Sequence, residues 1–344
     1  MTLLGSKMES EIAEIPEMIT RLSALDFRSE KLLELFNSKS ISSVLILARG
    51  TSDNAAHFLK YLIETKIGMP CGLASPSAAT LYEGEFKYKG VLVIAISQSG
   101  QSTDLTTFAE AAKNGGAFLL SITNDERSPL AANSDIHLPI LAGPEIAVPA
   151  TKSYVGQLVL CYLLVMNWIG AKVDTSEMIN QTRKLLGEVS NAVSFAKEID
   201  IEKPIAVLGR GFSFPNAKEF ALKIQETCLV PVQGMSSSDY LHGPIAALHP
   251  GTQVIFMAPK HQPDQSFGAA VEKVRQSSAK ILWLGVPTEN IAEEVVLAGA
   301  NCSDEILSSI CDAVAFQLAT LALARCNQLD PDSPQGLTKV TKTF

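Results

Sequence analysis

The chain has 344 residues, of which 47% are apolar and 19% charged, with a formal net charge of −8. That composition excludes a disordered chain and supplies apolar material for about two domains of roughly 150 residues each. The acidic balance argues against a broad nucleic-acid surface, so an anionic ligand would have to be held locally.

Residues 1–34 read as an N-terminal helical segment, followed by a first domain at 35–175. This domain opens with "SVLILARGTSDNAAHFLKYLIE" from Ser43: an apolar strand, an Ala-Arg-Gly turn and an amphipathic helix. "GVLVIA" from Gly90 predicts a second strand, which runs through "ISQSGQSTDL" (96–105) into the helix "LTTFAEAAK". "AFLLSITN" from Ala117 predicts a further strand. "SYVGQLVLCYLLVMNWIGA" (153–171) carries no charge and approaches the length of about 20 residues that a membrane span needs. Its Gln157, Asn167 and two glycines, without a basic flank at the C-terminal end, predict a fully buried helix instead. A connecting helix is expected at 176–194.

A second domain, 195–333, repeats the first. "PIAVLGRGFSFPNAKEFALKIQE" from Pro204 gives strand, Gly-Arg-Gly turn and helix again; Gly50 and Gly211 are 161 apart. One extra residue in the second turn then matches Asn54 to Asn216, Phe58 to Phe220 and Glu64 to Glu226. "GTQVIFMAPKH" from Gly251 aligns with "GVLVIAISQSG", and "KILWLGVP" from Lys280 repeats the strand at 117. Alternating strands and helices predict an α/β fold, each domain a doubly wound, mainly parallel five-stranded sheet flanked by helices, a flavodoxin-like sandwich. A C-terminal tail occupies 334–344.

The copies differ at one loop: SQSGQST (97–103) in the first is APKHQPD (258–264) in the second. Ser97, Gln98, Ser99, Gly100 and Ser102 fall between a strand and a helix, where ligands bind in parallel sheets. The helix N-terminus offers N–H groups and about half a positive charge, the serines add hydroxyl donors, and Gly100 allows close backbone approach. Together they predict a neutral phosphate cradle. Serine also favours caps and turns, so the same residues suit a turn without a ligand. Neither a nucleotide P-loop nor a GxGxxG fingerprint occurs. The six cysteines show no CxxC spacing and read as free thiols, several of them buried, in a reducing cytoplasm. No metal-ligand spacing is evident, and His57, His137, His249 and His261 have no assigned role.

"ARGTS" (48–52), "SQSGQS" (97–102), "AGPEIAVPATKSY" (142–154), "EFALKIQET" (219–227), "YLHGP" (240–244) and the tail "LTKVTKTF" (337–344) occur in this order. With the tandem layout they resemble the sugar isomerase (SIS) domain family, specifically the isomerase half of glucosamine-6-phosphate synthase. "MESEIAEIP" (8–16) is similar to the opening of that half. Two departures stand out. About seven residues precede Met8 and none is cysteine, so no glutaminase domain is expected; and Ala150 stands where the family has serine. The tail "GLTKVTKT" is closer to the stand-alone glucosamine-6-phosphate deaminases.

The resemblance implies a sugar-phosphate enzyme that opens the ring, moves a proton between C2 and C1, and hydrolyses a C2 imine to give fructose 6-phosphate and ammonia. It implies Glu226 as the proton shuttle and Lys223 as support for the linear sugar's oxygens. His242 would open the ring from the neighbouring subunit, which implies a homodimer. Lys339 would lie near the carbonyl carbon under the closed tail. Thr51, Ser52 and Val148 join Ser97, Gln98, Ser99 and Ser102 in holding the substrate. On spacing alone Lys223 and Glu226 equally fit a surface ion pair, and His242 a structural histidine. No cofactor, nucleic acid or membrane is implied. The alternatives are a deaminase or deglycase for another amino-sugar phosphate, a plain aldose–ketose isomerase, and a sugar-phosphate sensor without catalysis.

Overall fold

The computed structural model describes residues 3–27, 29–38, 40–82, 84–258, 265–285 and 294–339. Two five-stranded sheets, all parallel, carry the fold. The first contains β1 (Ser43–Leu47), β2 (Cys71–Leu73), β3 (Val91–Ser97), β4 (Phe118–Thr123) and β5 (Ile136–Pro139), in the order β2-β1-β3-β4-β5. The second contains β6 (Ile205–Gly209), β7 (Val232–Ser236), β8 (Gln253–Met257), β9 (Lys280–Leu284) and β10 (Val295–Leu297), in the order β10-β9-β8-β6-β7. Numbered within its own half, each sheet has the order 2-1-3-4-5, so each reverses direction between its first and third strands.

The central strands are runs of Val, Ile and Leu because helices cover both faces of a parallel sheet. Leu92–Ser97 of β3 and all of β8 are buried. On one face of the first sheet, Leu47, Val93, Ala95 and Leu119 pack with Phe108 and Leu130. On the second, Phe256 stacks on Trp283 at 5.1 Å. The short edge strands β2 and β10, of three residues each, carry too little periodicity to be read from sequence.

The chain divides into two compact units that are not contiguous halves. One holds residues up to Pro16, Ile146–Thr151 and Ser176–Lys339; the other holds Glu17–Glu145 and Lys152–Thr175. This differs from the linear division at 35, 175, 195 and 333, and splits the expected 1–34 segment at Pro16. The reason lies in long-range capping. Asp332 accepts hydrogen bonds from the N–H groups of Lys7 (2.9 Å) and Met8 (2.8 Å), at the start of the helix Ser6–Ala13. Buried Glu11 accepts from Ile146 N–H and, at 3.1 Å, from Ala147 N–H. A carboxylate at a helix N-terminus satisfies orphan donors and the macrodipole together, so the opening helix stays with the second sheet. The single connecting helix expected at 176–194 is two helices, Ser176–Leu186 and Val189–Lys197, with Gly187 between them.

The apolar stretch at 153–171 forms the helix Lys152–Trp168, buried from Lys152 through Val165. Its first turn is capped by Glu145, which accepts from Ser153 N–H (3.0 Å) and Ser153 Oγ–H (2.6 Å). The helix Glu305–Cys326 is long and apolar enough to cross a membrane, by length and composition only, and its apolar window is wholly buried.

Candidate active site

β3 delivers Ser97 at its carboxyl end, and the helix Thr103–Asn114 begins six residues later. Ser97 is buried, and its Oγ accepts from Gly100 N–H at 3.0 Å; Ser99 Oγ accepts from Gln101 N–H at 3.3 Å. Gly100 has φ 63°, and a Cβ there would lie 2.2 Å from Ser128 Oγ, so no other residue fits. The loop is pinned from outside: Asn124 N–H donates to Gln98 O (3.0 Å) and Leu130 N–H to Gly100 O (3.2 Å). Ser102 occupies the N-cap position without a side-chain cap bond. The turn and the ligand-binding readings of the serines are therefore compatible. The oxygens of Ser97 and Ser99 shape the turn by accepting, while their hydroxyl protons remain to donate. Half-buried Gln98 lies between them.

Two charged residues here were not singled out from the sequence. Asp104 is buried in the first helical turn, and Arg49 Nε meets its Oδ2 at 2.9 Å, with half of the Arg49 side chain exposed. Arg49 belongs to the "ARGTS" turn, so the signal was present in the motif. Asp104, buried at a helix start, offsets the dipole that would hold an anion, and Arg49 offsets Asp104.

The helix Thr51–Leu62 follows Gly50, whose φ of 56° opens it. Thr51 is half-buried in its first turn, whereas Ser52 is buried and its Oγ accepts from Gln157 Nε2–H at 3.0 Å. Ser52 thus ties this helix to Lys152–Trp168.

In the other unit, the helix Phe214–Cys228 carries Glu219, Lys223 and Glu226. Lys223 is wholly buried; its Nζ lies 3.4 Å from Glu219 Oε1 and donates to Glu226 Oε2. Glu219 is also wholly buried, while the Glu226 side chain keeps 22% exposure. Burial alone would push the ammonium toward neutrality, but the two carboxylates outweigh it and hold the Lys223 pKa above its ordinary value. The pair is thus interior, not the surface ion pair that spacing also allowed. Glu219, four residues before Lys223, is the partner that sequence reasoning did not name. β7 lies against this helix at Gly234, where a Cβ would come within 2.6 Å of Ala217 O.

β7 leads through Ser236 into the short helix Ser237–Leu241, and His242 follows. The His242 side chain is exposed, and its backbone N–H donates to Asp239 O at 3.0 Å. It makes no hydrogen bond to Glu226 or Lys223 among the described residues. Lys339 Nζ donates to Ala147 O at 2.8 Å, beside Val148, whose N–H donates to Asp332 O at 3.2 Å. Lys339, expected near the reacting carbon, and Val148, expected to hold the substrate, are therefore neighbours. Residues 259–264 of the echo loop, His261 among them, and 340–344 of the tail lie outside the described residues.

Residues 35–167 match the SIS domain model. The chain carries a SIS domain. All the expected substrate-binding residues, Thr51 through Val148, fall inside the matched SIS segment; Lys223, Glu226, His242 and Lys339 fall outside it. A glutamine–fructose-6-phosphate aminotransferase (isomerizing) of Methanosarcina mazei is 31% identical over 318 residues, covering 88% of this chain and 51% of that protein. The chain spans about half the length of the curated relatives it matches. Among solved structures, the C-terminal domain of glucosamine-fructose-6-phosphate aminotransferase from Francisella tularensis superposes with a TM-score of 0.84 at 24% identity, covering 95% of this chain and 98% of that one. Glucosamine-6-phosphate deaminase from Thermotoga maritima gives a TM-score of 0.77 at 22% identity, covering 98% and 100%. At these identities the two structures establish the SIS-type fold.

Proposed function

We propose that the chain is a deaminating isomerase of an amino-sugar phosphate, with glucosamine 6-phosphate as substrate and fructose 6-phosphate and ammonia as products. The second sheet is, on this reading, a second SIS domain. The observation that carries the proposal is the cluster on Phe214–Cys228. A charged lysine buried between two carboxylates, one partly open to solvent, is an arrangement for proton transfer, not for surface solvation. The hydroxyl-rich SIS loop supports an anionic substrate, and the Methanosarcina relative is named for fructose 6-phosphate chemistry. The resemblance of the 336–343 tail to the stand-alone deaminases supports ammonia release.

The phosphate sits at Ser97–Ser102, with Thr51, Ser52 and Val148 completing the substrate contacts. His242, contributed across a homodimer, assists ring opening of the hemiacetal. The Glu226 carboxylate takes the C2 proton of the open-chain aldehyde and returns it to C1, leaving an imine at C2. Lys223, kept charged by Glu219, steadies the negative charge that builds on the C1 oxygen. Water adds to C2 and ammonia departs, giving the ketose. Lys339 stands near the reacting carbonyl.

Ammonia release from a panel of amino-sugar phosphates tests this directly. Release from glucosamine 6-phosphate should fall by at least about 100-fold in Glu226→Gln, the order expected when a general base is removed. Turnover of non-amino sugar phosphates alone would assign a plain isomerase, and binding without turnover a sensor.

A further inference from the structure

Beneath the SIS loop runs a line of side-chain hydrogen bonds that ends on a histidine. At the carboxyl end of β4, the Thr123 hydroxyl donates to Asp125 O at 2.8 Å. The same oxygen lies 2.9 Å from His137 Nε2 and 3.4 Å from Ser128 Oγ. A threonine hydroxyl has one proton, and here Asp125 O receives it. With that proton on Asp125 O, the Nε2–H tautomer of His137 donates to Thr123 Oγ1. Ser128 Oγ accepts from Ala131 N–H at 3.3 Å, leaving its own proton for Thr123.

This line is the floor on which Gly100 rests. A Cβ on Gly100 would meet Ser128 Oγ at 2.2 Å and Thr123 Cγ2 at 3.1 Å. The backbone of the same segment holds Gln98 and Gly100 through Asn124 and Leu130. His137 reaches the floor from the edge strand β5, where it pairs in register with Ser121. The ring is half-buried. Burial lowers its pKa below the usual 6.5, against a hydrogen bond with the Thr123 backbone and the Glu126 and Asp125 carboxylates, so the ring is neutral at neutral pH.

We propose that His137 is a positioning residue for the anion site: by donating to Thr123 it fixes, through Thr123 and Ser128, where Gly100 and the loop's N–H groups sit. The inference rests on the phosphate role proposed for Ser97–Ser102. A histidine that merely filled the core would affect stability and leave anion affinity unchanged.

The test is calorimetric titration of the full chain with inorganic phosphate, together with steady-state kinetics on glucosamine 6-phosphate. His137→Leu keeps an apolar body and removes the donor. Its Kd for phosphate should rise about fivefold, the worth of roughly one neutral hydrogen bond. KM should rise in step while kcat holds. His137→Gln should stay within about twofold of wild type, because its amide nitrogen stands as many bonds from Cβ as Nε2 does and one hydrogen bond is retained. Unchanged phosphate affinity in His137→Leu, even with a lower Tm, overturns the inference. So does a His137→Gln variant as weak as His137→Leu. Ser99→Ala separates the two levels. If it too leaves phosphate affinity unchanged, the anion is not held by this loop and the phosphate reading itself fails. If it weakens binding and His137→Leu does not, only the positioning role is lost.

Discussion

Replacing Lys223 by methionine should be among the most damaging single changes in the unit built on the second sheet. The side chains are similar in length, so no large cavity forms. What changes is charge: wholly buried Glu219 loses its cation, and Glu226 loses its hydrogen-bond donor. At an effective dielectric of about 20, opposite charges 3.4 Å apart attract by about 5 kcal/mol. The cost of desolvating the lysine opposes this. Leaving a buried carboxylate without its partner typically costs about 3–5 kcal/mol. The expected loss for Lys223→Met is of that order at pH 7. It should shrink as pH falls, because an uncompensated buried carboxylate has a raised pKa and the penalty vanishes once it is protonated. Trp283 lies in the core of this unit and Trp168 in the other, so urea unfolding in a Trp168→Phe background reports the right transition by fluorescence. Glu219→Gln/Lys223→Met should recover part of the loss. A Lys223→Met penalty under about 1 kcal/mol, or a double variant no more stable than the single, would refute the claim that Lys223 is held charged by Glu219.

Gly100→Ala forces a left-handed backbone and a clash with Ser128, so phosphate affinity should drop sharply while urea unfolding shows a loss of about 1–3 kcal/mol. Asp332→Ala removes two long-range caps from the helix Ser6–Ala13 and should cost about 1–2 kcal/mol by Trp283 fluorescence. Iodoacetamide at neutral pH should label exposed Cys326 and half-buried Cys302, whose thiol is held below its usual range by the hydrogen bond from Cys311. Cys71, pushed up to about 12 by burial, and wholly buried Cys161 should react only after denaturation, as peptide mass mapping would show. His137, with its folded pKa below 6.5, binds its proton more readily when unfolded. Its stabilising contribution is complete above about 6.5 and is lost as pH falls through the lower folded value, so urea midpoints of wild type and His137→Leu should converge on acidification.

The sheets were legible because a buried parallel strand announces itself as an unbroken apolar run between glycine-rich turns, as β3 and β8 do. Edge strands such as Cys71–Leu73 and Val295–Leu297 pack one side only and offer three residues of signal. The Ser97–Ser102 loop was legible as a tight turn because serine oxygens close it and Gly100 supplies its left-handed backbone. Its floor was not, since Thr123, Ser128 and His137 are brought together by the β4–β5 register and no local pattern links them. The assignment of the opening helix to the second sheet was equally invisible, because it depends on Asp332 capping a helix more than 320 residues earlier in the chain.

The internal repeat shows why spacing could not decide the character of the helix that carries Lys223 and Glu226. Glu64 occupies in the first copy the position of Glu226 in the second, and it too forms an ion pair, with Lys60 on the preceding turn. That pair lies on the surface, its side chains 33% and 40% exposed. In the second copy the lysine is at i−3 instead of i−4, which turns it from the solvent face onto the buried face of the helix. The first copy has Tyr61 where Lys223 stands and His57 where Glu219 stands, so it has neither the interior cation nor the carboxylate needed to keep one charged. A one-residue shift in lysine position, compensated by Glu219, is the difference between a solvated pair worth a few tenths of a kcal/mol and a buried cluster with chemical capacity. Moving the lysine back, as Leu222→Lys/Lys223→Leu, should restore a surface pair without the interior cation and abolish turnover while leaving Ser97–Ser102 able to bind phosphate.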